Sequence, residues 1–275
     1  MDKKNNNFLV SIFCITYNQA PYISQAIEGF LSQKTNFDFE IVIGEDCSKD
    51  NTKKILEDYN IKFPGRFRLI LHEKNIGSMP NFISTLKACN GKYIALCDGD
   101  DYWTDPNKLQ KQVDFMQNNS DISFCCHNAE TFFVNTGLVE SFNKSLKTGY
   151  YTTNHLLLKR WFIPTASLLI RREFIPNPLP NWFSKIYSGD YALELLLSIT
   201  GNFYYLNEKK SVYRINALNS MSVSENDPIK YLNRLLFLYK NFKNSYSQKI
   251  GFGIYFAITR ARLNLIKYTI YKMFR

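Results

Sequence analysis

An α/β fold built on a mostly parallel sheet, flanked by helices on both faces, is what the amino-acid order predicts. Three observations carry it. Apolar runs of strand length alternate with amphipathic helical segments between residues 8 and 97. The composition, 45% hydrophobic and 21% charged over 275 residues, suits a chain that buries one large core. Polar and acidic residues gather where the apolar runs end, which is where ligands bind in parallel sheets.

FLVSIFCI, Phe8 to Ile15, reads as a buried strand, and Pro21 to Gln33 as a helix with Tyr22, Ile23, Ala26, Ile27, Phe30 and Leu31 on one face. DFEIVIG is the next strand, and Asp50 caps a helix running through Tyr59. RFRLILH is a third strand, Pro80 opens a helix to Cys89, and KYIALC is a fourth strand. Further on, Thr152 to Phe162 is expected to be helical and TASLLIRREF a strand. SGDYALELLLSITG is a helix capped by Ser188 and ended by Gly201, and NFYYLNEKKSVYR a strand.

Asp227 to Phe242 is amphipathic through Ile229, Leu232, Leu235, Leu236 and Tyr239. A more apolar helix follows. Its longest uncharged stretch, Ile250 to Thr259, is about half of the roughly twenty residues a spanning helix needs, so it is not expected to cross a membrane. Arg260, Asn264 and Lys267 form a polar stripe on it, while Arg262 and Lys272 lie off the stripe and would have to snorkel. These two helices either pack on the body of the protein or meet a membrane surface.

Charge sharpens that question. The chain carries +10, yet residues 226–275 hold ten Lys/Arg against the one acidic residue Asp227, so the first 225 residues are almost neutral. This distribution argues against a nucleic-acid-binding body and points to the tail as the part that meets an anionic surface. Six cysteines occur without a CxxC pair and with only three histidines, which disfavours zinc and fits a reduced, cytoplasmic setting. The start MDKKNNNFLVSIF lacks a small-residue cleavage site and is not expected to be a signal peptide.

The stretch LCDGDDYW places Asp98, Asp100 and Asp101 directly after an apolar strand. Like charges at a strand end are unfavourable unless a cation, backbone donors or water compensates, so the cluster is either an Asx-type turn or a cation site. Two other strands end on polar residues: the first at Thr16-Tyr17-Asn18, the second at Glu45-Asp46-Cys47-Ser48. Neither GxGxxG nor GxxxxGK[ST] follows the first strand, so any phosphate bound at this edge would need a metal.

Taken together, VSIFCITYN, IVIGEDCSKDNT, NIGSMPNF and YIALCDGDDYWTDPNKL resemble the nucleotide-sugar-binding half of the family-2 glycosyltransferases, which have the GT-A fold and build bacterial surface polysaccharides. The likeness is strong over residues 8–115 and weakens towards residue 225. It implies a catalytic domain over 1–225, with a nucleotide-sugar half (8–115) and an acceptor half (116–225), followed by a basic helical tail over 226–275. It also implies that Thr16, Tyr17 and Asn18 receive the nucleotide and that Asp46 contacts the base, with Glu45 in place of the commoner first aspartate. Tyr17 either closes a turn or stacks on the base. Asp98 and Asp100 would hold the ribose and a divalent ion, Mn²⁺ or Mg²⁺, and Asp101 would serve the turn. The loop at Asn75 would approach the diphosphate, although the basic residue many relatives carry nearby is replaced by Asn81.

In the acceptor half the resemblance selects Asp190 as general base, and the alternative is a plain carboxylate at a helix N-terminus. Arg214 would pair with phosphate or support Asp190, and Asn216 and Asn219 stand where relatives often carry a histidine. The implied activity is inverting transfer from a nucleotide sugar, commonly UDP-linked, to a hydroxyl of a glycan or lipid-linked acceptor. It implies no nucleic acid, and a cytoplasmic location or a peripheral one on the inner face of the cell membrane. Two other classes compete. A sugar nucleotidyltransferase should show a Gly-rich basic loop after the first strand, which CITYNQAPY lacks, and a non-catalytic membrane-docking module would not bring the strand-end motifs together.

Overall fold

The computed structural model describes residues 8–218, 220 and 227–273. Its first half follows the alternation of the sequence: β1 (Val10–Thr16), α1 (Ile23–Leu31), β2 (Phe39–Glu45), α2 (Thr52–Lys62), β3 (Phe67–Leu71), α3 (Ser78–Ala88) and β4 (Tyr93–Leu96). These four strands are parallel, in the order β3-β2-β1-β4. β1, β2 and β4 are buried along nearly their whole length because helices cover both faces.

The remainder comprises β5 (Tyr102–Trp103), α4 (Lys108–Asn118), β6 (Ile122–Phe133), β7 (Val139–Ser141), β8 (Gly149–Tyr151), α5 (Thr153–Lys159), β9 (Leu169–Arg171), α6 (Gly189–Ser198), β10 (Asn202–Ile215), α7 (Pro228–Tyr246) and α8 (Gly253–Met273). It extends the sheet as β4-β9-β6-β10-β5, with β7 on β6 and β8 on β10. β9 runs antiparallel to both β4 and β6, so the parallel order breaks beside β4, next to the acidic turn.

Side-chain alternation along the strands separates two cores. Phe13, Val42, Ile94 and Phe124 face α3, α5, α6, α7 and α8, whereas Ile12, Ile41, Ala95 and Cys125 face α1, α2 and α4. The two C-terminal helices therefore pack on the body, through Leu232, Leu235, Leu236, Tyr239 and Phe242 of α7 and Ile254, Ala257, Ile258 and Ala261 of α8. Asp227 caps α7, accepting the Ile229 and Lys230 amides.

Two expectations need correction. TASLLIRREF is not one strand: Thr165–Ser167 and Arg172–Phe174 are 3₁₀ turns, and only Leu169–Arg171 joins the sheet. Arg171 explains the polar residue inside, since its buried guanidinium donates to the carbonyls of Met116, Asn119 and Ile122 and closes the C-terminal end of α4. Arg260 does not belong to a solvated polar stripe either. It reaches inward to the Leu157 and Leu158 carbonyls at the end of α5, at 3.0 and 2.6 Å.

Candidate active site

Register sets the strand ends level. Thr16 pairs with Glu45 across β1 and β2, and Phe13 pairs with Leu96 across β1 and β4. The acidic turn continues this ladder, because the Gly99 amide donates to the Ile15 carbonyl at 3.0 Å and the Asp101 amide to the Asp98 carbonyl at 3.1 Å. Residue 99 must be glycine. A Cβ there would lie 2.5 Å from Gln19 Oε1 and 2.9 Å from Thr16 Oγ1.

The three aspartates of the turn do different things. Asp101 accepts the Arg214 amide at 2.8 Å, and the Ser220 and Gln19 side chains, with the Arg214 charge, work against the burial that pushes the Asp100 carboxyl up. The Arg214 guanidinium lies between the rings of Tyr22 and Tyr102, at 5.1 and 4.5 Å, and donates to Gln25 Oε1 and the Asp100 carbonyl. Arg214 is thus a strut behind the turn. Asp98 is partly exposed, and among the described residues its carboxylate accepts no hydrogen bond.

Burial is the main force pushing all three carboxyls above the usual range. For Asp98 the neighbouring charges of Asp100 and Asp190 add to it, which puts Asp190 in electrostatic reach of the acidic turn. A bound cation would remove this penalty. Among the described residues no group of three or more His, Cys, Asp or Glu could hold a metal ion by itself. A partly exposed, unbonded carboxylate fits instead an ion that takes one or two protein oxygens and completes its shell from phosphate.

At the ends of β1 and β2, Asp46 receives the amides of Ile76 and Gly77 at 2.7 and 2.9 Å, and its carbonyl accepts from Asn75 Nδ2 at 3.2 Å. Asp46 therefore fixes the loop that leads into α3. Glu45 is fully buried; its Oε1 accepts the Ser48 amide at 2.6 Å, while Oε2 has no partner among the described residues. Sequence reasoning placed the base contact at Asp46 and did not single out this free oxygen. Asn81 is also occupied, bonded to the Gly44 carbonyl and facing His72 Nε2.

Thr16 Oγ1 donates to Gln19 Oε1 at 2.9 Å. Asn18, at φ +51°, accepts the Lys49 amide and donates its own amide to Ser48 Oγ, tying the β1 and β2 ends together. Tyr17 beside it is partly exposed. Asp50 bridges the Ala20 and Thr52 amides, fixing the first turn of α2 against the same loop, although Asn51 occupies the cap position itself. Asn216 follows Arg214 with φ +61°, and Asn219 lies outside the described residues.

Asp190 sits in the first turn of α6 and accepts three hydrogen bonds: from Thr165 Oγ1 at 2.5 Å, Ser188 Oγ at 2.5 Å and its neighbour's amide, Tyr191 N, at 2.8 Å. Ser188 is thus a donor to Asp190 and not, as its position suggested, an acceptor for backbone amides. Nothing in the spacing of the sequence marks Thr165, which reaches Asp190 only because the 3₁₀ turn before β9 brings it there. Tyr191 is anchored behind, its hydroxyl 3.1 Å from the Leu156 carbonyl and 3.1 Å from the Tyr239 hydroxyl. Glu194, one turn deeper, is buried, and burial together with the Asp190 charge pushes its carboxyl well above the usual range.

A family model described as Glycosyl transferase family 2 matches residues 11–176. Among characterised relatives, the Escherichia coli UDP-Glc:alpha-D-GlcNAc-diphosphoundecaprenol beta-1,3-glucosyltransferase WfgD is 34% identical over 146 residues, covering 53% of this chain and 54% of the relative. Two solved structures share the architecture. Staphylococcus aureus TarS 1-349 in complex with UDP-GlcNAc superposes with a TM-score of 0.67 at 18% identity, over 86% of this chain and 66% of TarS. The Pyrobaculum calidifontis mannosyltransferase PcManGT with GDP-Man and Mn²⁺ gives 0.60 at 13% identity, over 95% of this chain and 70% of that one. The chain spans between about a third and about half of the length of the curated relatives it matches.

Proposed function

Because the chain belongs to glycosyl transferase family 2 and has the GT-A fold, we propose that it transfers a sugar from a nucleoside-diphosphate sugar, UDP-linked by preference, to a hydroxyl of a glycan or lipid-linked acceptor during bacterial surface polysaccharide synthesis. One relative, named for UDP-Glc and diphosphoundecaprenol, and a structural neighbour holding UDP-GlcNAc support this choice of donor and acceptor class. In this reading residues 1–225 are the catalytic unit, with donor half 8–115 and acceptor half 116–225, and 226–275 are a basic tail that keeps the protein at the inner face of the membrane.

The observation that carries the proposal is the pairing of Asp98 with Asp190. One is a carboxylate without a hydrogen-bond partner among the described residues, the other a carboxylate held by three donors whose charge, after burial and Asp100, helps to push the Asp98 carboxyl up. Tyr17 offers its ring to the base, Glu45 and Asp46 close the base end of the site from the end of β2, and the Asp46 carboxylate holds the Asn75 loop beside the diphosphate. Thr16 and Asn18 shape the same wall, and Arg214 keeps the acidic turn in place from behind. Asp98 and Asp100 would hold the ribose and Mn²⁺ or Mg²⁺; a bound ion supplies Lewis-acid stabilisation of the departing diphosphate. Asp190 accepts the proton of the acceptor hydroxyl as that oxygen attacks the anomeric carbon from the face opposite the leaving group, which inverts the configuration.

A panel of nucleotide sugars tests the reading. With acceptor and Mn²⁺ or Mg²⁺ present, a UDP sugar should release UDP, and chelation should stop the release. Absence of diphosphate release from every nucleotide sugar with either ion would overturn it.

A further inference from the structure

Helix α8 is apolar on two opposite faces. Ile254, Ala257, Ile258 and Ala261 are buried against the body. At 100° per residue, Phe256, Leu263, Ile266 and Ile270 fall on the other side, within about 40° of a common line broken only by Thr259, and Phe252 stands just before the first residue of the helix; all five apolar side chains are exposed, Phe252 at 90% and Leu263 at 62%. Beyond Ala261 no described side chain of the helix is buried. A monomer rarely leaves an apolar stripe of this length to water without a use for it.

The surroundings identify the partner. Between α7 and α8 runs a groove lined by Lys240, Lys243, Asn244, Tyr255, Ile258, Thr259 and Arg262, and among the described residues no carboxylate pairs with its three cations. Lys267 flanks the stripe on its other side. A second copy of the chain would bring like charges together, since residues 226–275 carry ten basic side chains against one acidic. An anionic bilayer matches both features, taking the stripe into its headgroup–acyl boundary and its phosphates against the groove. The helix cannot cross that bilayer, because no helix among the described residues is long and apolar enough.

We infer that α8 lies in the plane of an anionic lipid bilayer, with Phe252, Phe256, Leu263, Ile266 and Ile270 inserted and Lys240, Lys243 and Arg262 on lipid phosphates. The face is fixed to the body through the buried side of α8, and α7 is joined through Tyr239 to Tyr191, next to Asp190. Docking therefore sets the position of the α6 N-terminus relative to the membrane. The inference specifies the membrane contact suggested above, but vesicle binding needs neither donor nor acceptor, so it can fail or succeed independently of the reaction.

The full chain should sediment with vesicles of phosphatidylcholine containing a third of phosphatidylglycerol and not with phosphatidylcholine alone. Changing three exposed side chains together, Leu263→Gln, Ile266→Gln and Ile270→Gln, should weaken binding at least ten-fold without altering the circular dichroism or thermal midpoint. Lys240→Gln with Lys243→Gln and Arg262→Gln should weaken it by about five-fold per cation at low salt, and less at high salt. Three results would overturn the inference: no sedimentation with the anionic vesicles, unchanged binding of the apolar triple variant, or concentration-dependent self-association abolished by that variant in the absence of lipid.

Discussion

Thr165 Oγ1 donates to Asp190 Oδ2 at 2.5 Å, joining the turn before β9 to the first turn of α6. The turn that holds Thr165 leads into β9, which pairs with β4, the strand that ends at the acidic turn. The bond fixes one oxygen of Asp190, while Ser188 and the Tyr191 amide hold the other. Thr165 does not itself touch a reacting atom in this scheme; it positions one that does.

Thr165→Val keeps the shape of the side chain and removes the donor. Loss of a hydrogen bond to a charged group is expected to lower turnover by about 10- to 100-fold while leaving the donor KM close to its original value. Thr165→Ser, which restores the hydroxyl, should recover most of the rate. Equal loss in both variants would mean that residue 165 matters for packing alone.

Asp98→Asn tests the cation site with little structural cost, because the Asp98 carboxylate accepts no hydrogen bond from the described residues and is partly exposed. Mn²⁺ should strengthen binding of the nucleoside diphosphate in the wild type, and the enhancement should fall at least about ten-fold in the variant. Asp100 is a less clean target, since it is buried and the Arg214 guanidinium rests on its carbonyl. Calorimetric titration with and without Mn²⁺ reads the difference.

Gly99→Ala should destabilise the fold by about 1 to 3 kcal/mol, because the added methyl meets Gln19 and Thr16 at the end of β1. Urea denaturation measures it. An unchanged midpoint would show that the acidic turn can move away from the strand without penalty.

The first half of the fold was legible because its strands are buried on both faces and its helices bury one face each, so chemistry and periodicity agree from β1 to β4. β6 was not. It lies at the centre of the extended sheet but contains His127, Asn128 and Glu130, and the buried Asn128 is satisfied by partners outside the strand: Asn207, Asn143 and Ser141. The site shows the same division. Asp98 and Asp190 stand out in local patterns, whereas the hold of the Asp46 carboxylate on the loop before α3 depends on where Ile76 and Gly77 present their amides. Arg260 has the look of a surface residue until the end of α5 is brought beneath it.

Lys108 gives a pH dependence of known sign. Fully buried, with its ammonium 3.8 Å from the Trp103 ring centroid and no hydrogen-bond partner among the described residues, it has its pKa lowered to about 7, mainly by burial. In the unfolded chain the same group titrates near 10.4. Between these values the unfolded state binds the extra proton, so this residue's contribution to stability rises as pH increases from about 7 to about 10. Lys108→Met removes the dependence. The variant's stability advantage over the wild type should therefore be largest at or below neutral pH and shrink towards pH 10, as followed by urea midpoints; a constant difference would refute the assignment.

Asp190 provides the most direct test of the proposed chemistry. Asp190→Asn preserves size and polarity but cannot accept the acceptor's proton. With the donor found in the nucleotide-sugar screen, a single-turnover experiment at saturating donor and acceptor should show transfer slowed by roughly 10²- to 10⁴-fold, while titration shows donor binding within about two-fold of the wild type. Transfer at a near-normal rate by this variant would contradict the account and remove Asp190 from the reaction.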